Sequence, residues 1–280
     1  MKRAELDALL VTVRAAAREA GELVRRAYRK HPVVEHKGAV DLVTEHDRES
    51  EKLLRARLAP LGFAVVGEEG GGSWDRSGPA FFVDPIDGTT NFAHGHPFWC
   101  VSVGLVLPSG ESILGVVRAP ALGTEHYGLV DDAGGLLSRR VSADGEEDCR
   151  VSQVDRFQDA LLATGFPYDR KSSPDNNFDA FVAIKKKCQA VRRCGSAALD
   201  LCLVADGTYE GYWERKLRPW DIAAGIAIVR GAGGRVSGFE AADSPKCEPL
   251  ENIVATNGLI HDALLTELAN VSPRSLPPQG

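Results

Sequence analysis

The sequence predicts a mixed fold, α+β in its first half and α/β in its second, and three observations predict it. Residues 3–30 place Leu6, Leu9, Leu10, Val13, Ala17, Ala20, Leu23, Val24 and Ala27 at helical spacing. Residues 99–130 hold three apolar or alternating runs between Pro and Gly breaks, the pattern of a β-meander. From Asp155 onward strand-like and helix-like segments alternate, the pattern of an α/β layer. A chain of 280 residues with 44% hydrophobic content can bury a large core, as one compact unit or two fused lobes. The expected division is 1–150, 151–271 and a disordered tail over 272–280, where three prolines and little apolar content leave nothing to pack.

Taken in order, the amphipathic helix of residues 3–30 is stopped by Pro32. Residues 31–43 are polar and contain Gly38, so they read as a mobile hairpin carrying Lys37 and Asp41. Thr44 and Asp47 stand three apart, a capping box for a second helix running to about Leu58. A strand over 63–66 is ended by Gly67, Glu68 and Glu69, and Gly70, Gly71 and Gly72 read as a flexible surface loop. A second strand, Phe81, Phe82 and Val83, is ended by Asp84-Pro85, so two strands that look parallel both finish in acids. The meander strands are 99–107, 112–118 and 125–130, followed by a turn at 131–135. The second half reads as strand 160–166, helix 174–187, strand 189–192, helix 196–206, strand 208–214 and helix 219–231. Short strands near 235–239 and 252–256 precede a last helix from His261.

Function gathers around residues 81–92. Pro85 has no N–H and a fixed φ, so it forces a turn that can aim Asp84 and Asp87 at one point beyond a strand end, where open α/β sheets place ligands. Gly88 lets the backbone approach a ligand, and Thr89 and Thr90 can open a helical turn whose free N–H groups favour an anion. Carboxylates beside an anion-binding turn imply cations between them. Other sites fail on spacing. An EF-hand loop opening at Asp84 needs Glu at its twelfth position, where Gly95 stands. The chain lacks the Gly-x-x-x-x-Gly-Lys-Ser/Thr of a P-loop. An aspartyl-nucleophile phosphatase of the haloacid dehalogenase type has its acids two apart, and here they are three apart. His94 and His96 have no third ligand at suitable spacing, so they do not form a zinc set.

The stretch Asp84-Pro85-Ile86-Asp87-Gly88-Thr89-Thr90-Asn91-Phe92 resembles the central signature of the inositol monophosphatase family, metal-dependent phosphate monoesterases related to fructose-1,6-bisphosphatase. Four further segments resemble the family in the expected order: Lys37 with Asp41-Leu42-Val43-Thr44 and Asp47; Gly67-Glu68-Glu69; Gly195-Ser196-Ala197-Ala198; and Trp220-Asp221-Ile222-Ala223-Ala224-Gly225. Together they span residues 5–270. The resemblance implies an αβαβα layered sandwich with the site between the halves. It implies two or three Mg²⁺ ions: one held by Glu68, Asp84 and the Ile86 carbonyl, one by Asp84, Asp87 and Asp221, and a weaker third near Glu68, Glu69, Lys37 and Asp41. It gives Asp47, Thr89 and Glu68 catalytic roles, and assigns substrate contacts to Asp87, Gly88, Thr89, Gly195, Ser196, Ala197, Glu214 and Asp221. The helix opened at Gly195 is expected to turn its N–H groups and the Ser196 hydroxyl toward a sugar hydroxyl, and Glu214 to accept hydrogen bonds from a polyol. Implied too are a phosphorylated polyol substrate, first of all inositol 1-phosphate, sensitivity to Li⁺ and a homodimer. Alternatives on the same scaffold are fructose-1,6-bisphosphate, 3′-phosphoadenosine-5′-phosphate, NADP and histidinol phosphate hydrolysis, or a regulatory protein-binding role.

Composition narrows the partners. A formal charge of −6 and a pI near 5.7 argue against direct nucleic-acid binding, which needs a basic face. Six cysteines include no Cys-x-x-Cys pair, and Cys100 and Cys202 lie in apolar stretches, so reduced thiols are expected. Met1 is followed by charged residues and no segment approaches eighteen apolar residues, so the expectation is a cytoplasmic protein without a membrane segment.

Overall fold

A computed structural model describes residues 1–30, 34–36, 42–240, 246–247 and 251–271. The tip of the expected hairpin, with Lys37 and Asp41, and the tail over 272–280 lie outside these residues. Helix α1 (Arg3–Ala27) opens the chain, and strands β1 (Val34–His36) and β2 (Leu42–Thr44) pair antiparallel as the hairpin reading expects. Helix α2 (Glu45–Leu58) follows. Next come β3 (Ala64–Gly67), β4 (Ala80–Asp87), the short α3 (Thr89–Ala93), β5 (Cys100–Val106), β6 (Ser112–Ala119), β7 (Thr124–Val130), β8 (Leu136–Ser142) and β9 (Gly145–Asp148). These seven strands, β3 to β9, form one sheet in sequence order; β3 and β4 are parallel and every later pair is antiparallel.

The rest of the chain builds a second sheet from β10 (Leu161–Thr164), β11 (Ala190–Arg192), β12 (Gly211–Glu214), β13 (Arg235–Ser237) and β14 (Ile253–Thr256), in the order β11-β10-β12-β14-β13. Its helices are α4 (Phe178–Lys185), α5 (Ala197–Ala205), α6 (Pro219–Gly231) and α7 (His261–Ala269). Strand β10 is parallel to β11 and β12, whereas β14 is antiparallel to both its neighbours.

Alternation along β4 shows how the layers stack. Phe81 and Val83 face one way, into a core with Leu6, Leu10, Val13 and Ala17 of α1 and Leu54 and Leu58 of α2. Phe82 faces the other way, into a core with Leu199 and Leu201 of α5 and Ile222, Ile226 and Ile228 of α6. That second core continues through α5 and α6 onto Tyr212, Ile253 and Ala255 of the five-stranded sheet. The far face of that sheet, with Leu162, Trp213 and Val254, is covered by Ile184 of α4 and Leu264, Leu265 and Leu268 of α7. The molecule is therefore the αβαβα sandwich that the resemblance implies. Each large apolar side chain fully buried in these layers contributes about 1.5–3 kcal/mol.

Helix α6 sits low on the seven-stranded sheet because three strands offer it no side chain. Gly104, Gly115 and Gly128 are register partners on β5, β6 and β7. A Cβ on Gly115 would stand 2.1 Å from the Ala224 carbonyl oxygen, and one on Gly104 2.6 Å from the Ala224 nitrogen. This row fixes the height of the helix that begins with Asp221.

Several elements differ from the sequence reading, and the first is β4, which runs on through Pro85 to Asp87 with a register shift instead of ending at Asp84-Pro85. Strands β8 and β9 were not expected, since Leu136–Ser142 and Gly145–Asp148 carry charge instead of apolar alternation. They hold the sheet edge through Arg139–Asp148 (3.1 Å) and Arg140–Glu147 (2.7 Å) pairs. Helix α4 starts at Phe178, later than expected, because residues 172–176 are tied in side-chain turns through Ser173 and Asn176. The glycines at 70–72 are not a loose loop: Gly67 N–H donates to Gly71 O at 2.9 Å, and Arg55 reaches the Val65 and Gly71 carbonyls.

Candidate active site

The site lies where β3, β4, α5, α6 and β12 converge. β4 continues past Asp84 to Asp87, with a register shift against β5 between them, so both acids stand at the strand end in one short irregular stretch. Asp84 Oδ1 accepts the Ile86 N–H at 2.9 Å. Gly88, at φ 94, then turns the chain into α3. A side chain there would meet the carbonyls of Phe98 and Gly195, at 3.0 and 3.2 Å from its Cβ. Asn91 secures the same junction by donating to Phe98 O (2.6 Å) and Cys194 O (2.8 Å).

Helix α2 supplies Asp47, and its two oxygens do different work. Oδ2 accepts from Thr44 N (2.8 Å) and Thr44 Oγ1 (2.6 Å), which is the expected cap. Oδ1 faces Thr89, whose hydroxyl lies 3.3 Å away and also 3.0 Å from the Ile86 carbonyl. One turn further, buried Glu51 accepts Glu69 N (2.7 Å), Gly70 N (2.9 Å) and Arg55 Nε (2.7 Å), so the turn that carries Glu68 is clamped from α2. A Cβ on Gly67 would fall 2.3 Å from the Glu51 carboxyl carbon, which is why that position is glycine.

The second half contributes α5, capped by Ser196, and α6, begun by Pro219. Ser196 Oγ donates to Asp87 Oδ2 at 2.6 Å and Ala198 N–H to the same oxygen at 2.7 Å. These donors were expected to face a sugar hydroxyl; in the structure the Ser196 hydroxyl and the Ala198 N–H meet Asp87, as the free N–H groups of a helix start favour an anion. Asp221 Oδ2 accepts Arg218 N at 2.7 Å. A shared design results. Asp84, Asp87 and Asp221 each have one oxygen held by a backbone N–H, and the other takes no hydrogen bond among the described residues.

Electrostatics mark these acids as unpaired. Burial pushes Asp84 well above the usual carboxylate range, and the charges of Glu68, Asp87, Asp221 and Asp47 push it the same way. Burial raises Asp87 to about 6, against the lowering by Ser196, Ala198, Ala197 and Cys100. Asp221 is raised by burial, offset in part by the Arg218 N–H, and raised again by Asp87, Glu68 and Glu214. Among the described residues no group of three of these side chains stands close enough together to hold a metal ion as placed. Their chemistry fits Mg²⁺, which takes hard oxygen donors and needs few from protein.

Beyond the acids, Glu214 ends β12 on the other wall. The Tyr212 hydroxyl donates to its Oε2, and a Cβ on Gly165 would overlap its carboxylate at 2.1 Å. Burial raises Glu214 to about 7, against the lowering by Tyr212 and Arg193. His94 and His96 are exposed, and all six cysteines are free thiols. Glu51, Arg55 and Asn91 were missed from the sequence. Asp47, Glu51 and Arg55 recur every four residues on one face of α2, a signal that could have found the last two.

Comparison with known proteins agrees with this geometry. A model of the inositol monophosphatase family matches residues 5–273. The chain is 40% identical to a Synechocystis protein named inositol-1-monophosphatase, over 95% of this chain and 90% of that one. It is 38% identical to a Pseudomonas aeruginosa protein named Nus factor SuhB, over 93% and 96%. A solved inositol monophosphatase from Anabaena superposes with a TM-score of 0.84 at 34% identity, covering 96% of this chain and 98% of that one.

Proposed function

The chain belongs to the inositol monophosphatase family, and from that premise we propose that this phosphatase performs Mg²⁺-dependent hydrolysis of a small polyol phosphate, inositol 1-phosphate first. The observation that carries the reading is the set of half-anchored acids: Asp84, Asp87 and Asp221 each present one free oxygen to a cleft whose charges on Asp84 are all negative. Such a cleft repels a phosphate dianion unless cations intervene. Asp84, Asp87, Asp221, Glu68 and the Ile86 carbonyl would hold Mg²⁺. Bound there, the metal supplies charge neutralisation for the phosphate and the leaving alkoxide and lowers the pKa of water.

The chain's own residues supply orientation. Thr89 points its proton at Asp47 Oδ1 or Ile86 O, leaving its lone pairs to accept from a water in the cleft. Asp47 cannot swing away, because the α2 cap fixes its other oxygen. Ser196 lies buried behind Asp87, and the Cys100 thiol is pushed well above its ordinary value by burial. Neither is an activated nucleophile, so direct attack by water fits better than a covalent phosphoenzyme. Glu214, with one oxygen on Tyr212, would read substrate hydroxyls with the other.

Phosphate release from a panel of polyol, sugar, nucleotide and histidinol phosphates, with Mg²⁺ and after chelation, tests the proposal. Inositol 1-phosphate is expected to lead, and full turnover after exhaustive chelation would sink the metal reading. Inhibition by Li⁺ is expected against Na⁺ at matched ionic strength. A protein-binding role is the second reading, favoured by the 38% identity to the protein named Nus factor SuhB. A homodimer is inferred from the family resemblance; no described helix is long and apolar enough to cross a membrane.

A further inference from the structure

We propose that Lys216 is a positioning residue: by latching the loop 166–176 onto the link between Glu214 and Asp221, it aims the Glu214 carboxylate at substrate hydroxyls and so sets the preference for a polyol ester. The inference rests on the reading of Glu214 given above and deepens it. The first observation is in the backbone. Lys216 stands at φ 59, two residues after Glu214 and five before Asp221. A left-handed backbone is ordinary for glycine and disfavoured for lysine, and it persists where the surroundings over-determine it. Here the chain leaves β12 for α6, and the Lys216 N–H donates to Asn252 Oδ1 at 3.2 Å and the Leu217 N–H to Glu251 O at 2.8 Å.

The second observation is what that strained turn reaches. Lys216 Nζ donates to Asp169 Oδ2 at 2.7 Å and to Ser173 Oγ at 2.8 Å, and Arg215 Nη1 meets Asp175 Oδ1 at 2.7 Å. All three acceptors lie in the loop 166–176, and the base of that loop is built around Glu214. Asn177 donates to Gly165 O at 2.6 Å and to Thr164 Oγ1 at 2.8 Å, and it accepts Trp213 Nε1 at 2.9 Å. Thr164 Oγ1 donates in turn to Trp213 O at 2.6 Å, and Gly165 lies against the Glu214 carboxylate. The loop therefore holds the residue before Glu214 by its base and the two residues after it by its body. Among the described residues the carboxylate itself takes one hydrogen bond, from Tyr212, so its other oxygen is aimed by the backbone that carries it. With its partners 30% and 48% exposed, the Lys216–Asp169 pair contributes little to stability. Its effect belongs in recognition.

The test is the ratio of kcat/KM for inositol 1-phosphate to that for an aryl phosphate, in Mg²⁺, for the unaltered chain, Lys216→Asn, Asp169→Ala, Lys216→Arg and Glu214→Gln. Asparagine tolerates the left-handed backbone and is too short to reach the loop. Lys216→Asn and Asp169→Ala are each expected to lower the ratio a few-fold, through KM and no further than Glu214→Gln does, with melting temperatures close to that of the unaltered chain. Lys216→Arg keeps the charge and the reach and should keep the ratio. Adding Lys216→Asn to Glu214→Gln should lower it no further, because a residue that acts through another is lost with it. Losses that multiply in the double variant, or an unchanged ratio in both latch variants while Glu214→Gln still lowers it, overturn the role of Lys216 alone. A fall in kcat shared equally by both esters would place the latch on Asp221 and overturn that role as well. If Glu214→Gln itself leaves the ratio unchanged, the reading of Glu214 falls and this inference falls with it.

Discussion

Two sets of buried acids stand in contrast. Glu125 is fully buried and takes Arg14 Nε at 2.7 Å and Arg18 Nε at 2.6 Å. Glu51 is 2% exposed and takes Arg55 and two backbone N–H groups. Asp84, equally buried at 2%, has one N–H and four acids around it. Depth is the same, so depth is not what separates structure from function; the missing counter-charge is. Burying a charge without a partner is costly, and a fold retains that cost where a ligand supplies the partner.

The contrast can be broken first at the catalytic end. Asp47→Asn keeps the shape of the α2 cap and removes the charge facing Thr89, so turnover should fall about 10²- to 10⁴-fold with the fold retained. Thr89→Ala should cost a similar factor and the double variant little more; losses that multiply fully would separate the two residues.

Next in size is a structural acid. Glu51→Ala leaves Arg55 and the Glu69 and Gly70 N–H groups without their shared acceptor, which should cost about 3 kcal/mol in denaturant unfolding. A stability close to that of the unaltered chain would mean the Glu68 turn holds itself.

The unpaired acids should behave in the opposite sense. Asp87 and Glu214 are raised to about 6 and about 7. Their unfolded values lie near about 4, so between these limits the folded state binds more protons and stability falls as pH rises. Metal-free protein should therefore melt at lower temperature at pH 7 than at pH 5, and Mg²⁺ should flatten the slope. Asp84→Asn should raise the metal-free melting temperature at pH 7 while abolishing activity. A metal-free melting curve that improves toward pH 7 would reverse the sign assigned to the cluster.

The smallest effect is expected at Glu214. Glu214→Gln should lower kcat/KM for the polyol ester a few-fold more than for a generic aryl phosphate, as loss of one uniform contact does. Equal losses would place the residue in bond cleavage.

What the sequence made legible was local. Thr44 three before Asp47 and Pro219 two before Asp221 each specify a helix start within a few residues, and both stand as read, whereas the turn expected at Pro85 is a register-shifted continuation of β4 to Asp87. What it hid depended on distant partners. Ser196 was expected to face a substrate because nothing nearby shows that Asp87, 109 residues earlier, would accept its hydrogen bond. Glu51 looks like a surface acid on α2 until the 68–71 turn folds onto it. β8 and β9 have no apolar alternation to announce them, and charge pairing across the edge replaces it.

The glycine row beneath α6 gives the site a lever far from any ligand. Gly115 touches the helix at Ala224, three residues and less than one turn from Asp221. A methyl group there would lift that end of the helix off the sheet, and the acid would ride with it, away from Asp84. An assay would then report a weakened grip on the cation, although the altered residue meets neither cation nor substrate. Tuning of this catalyst is thus open to positions whose only property is having no side chain.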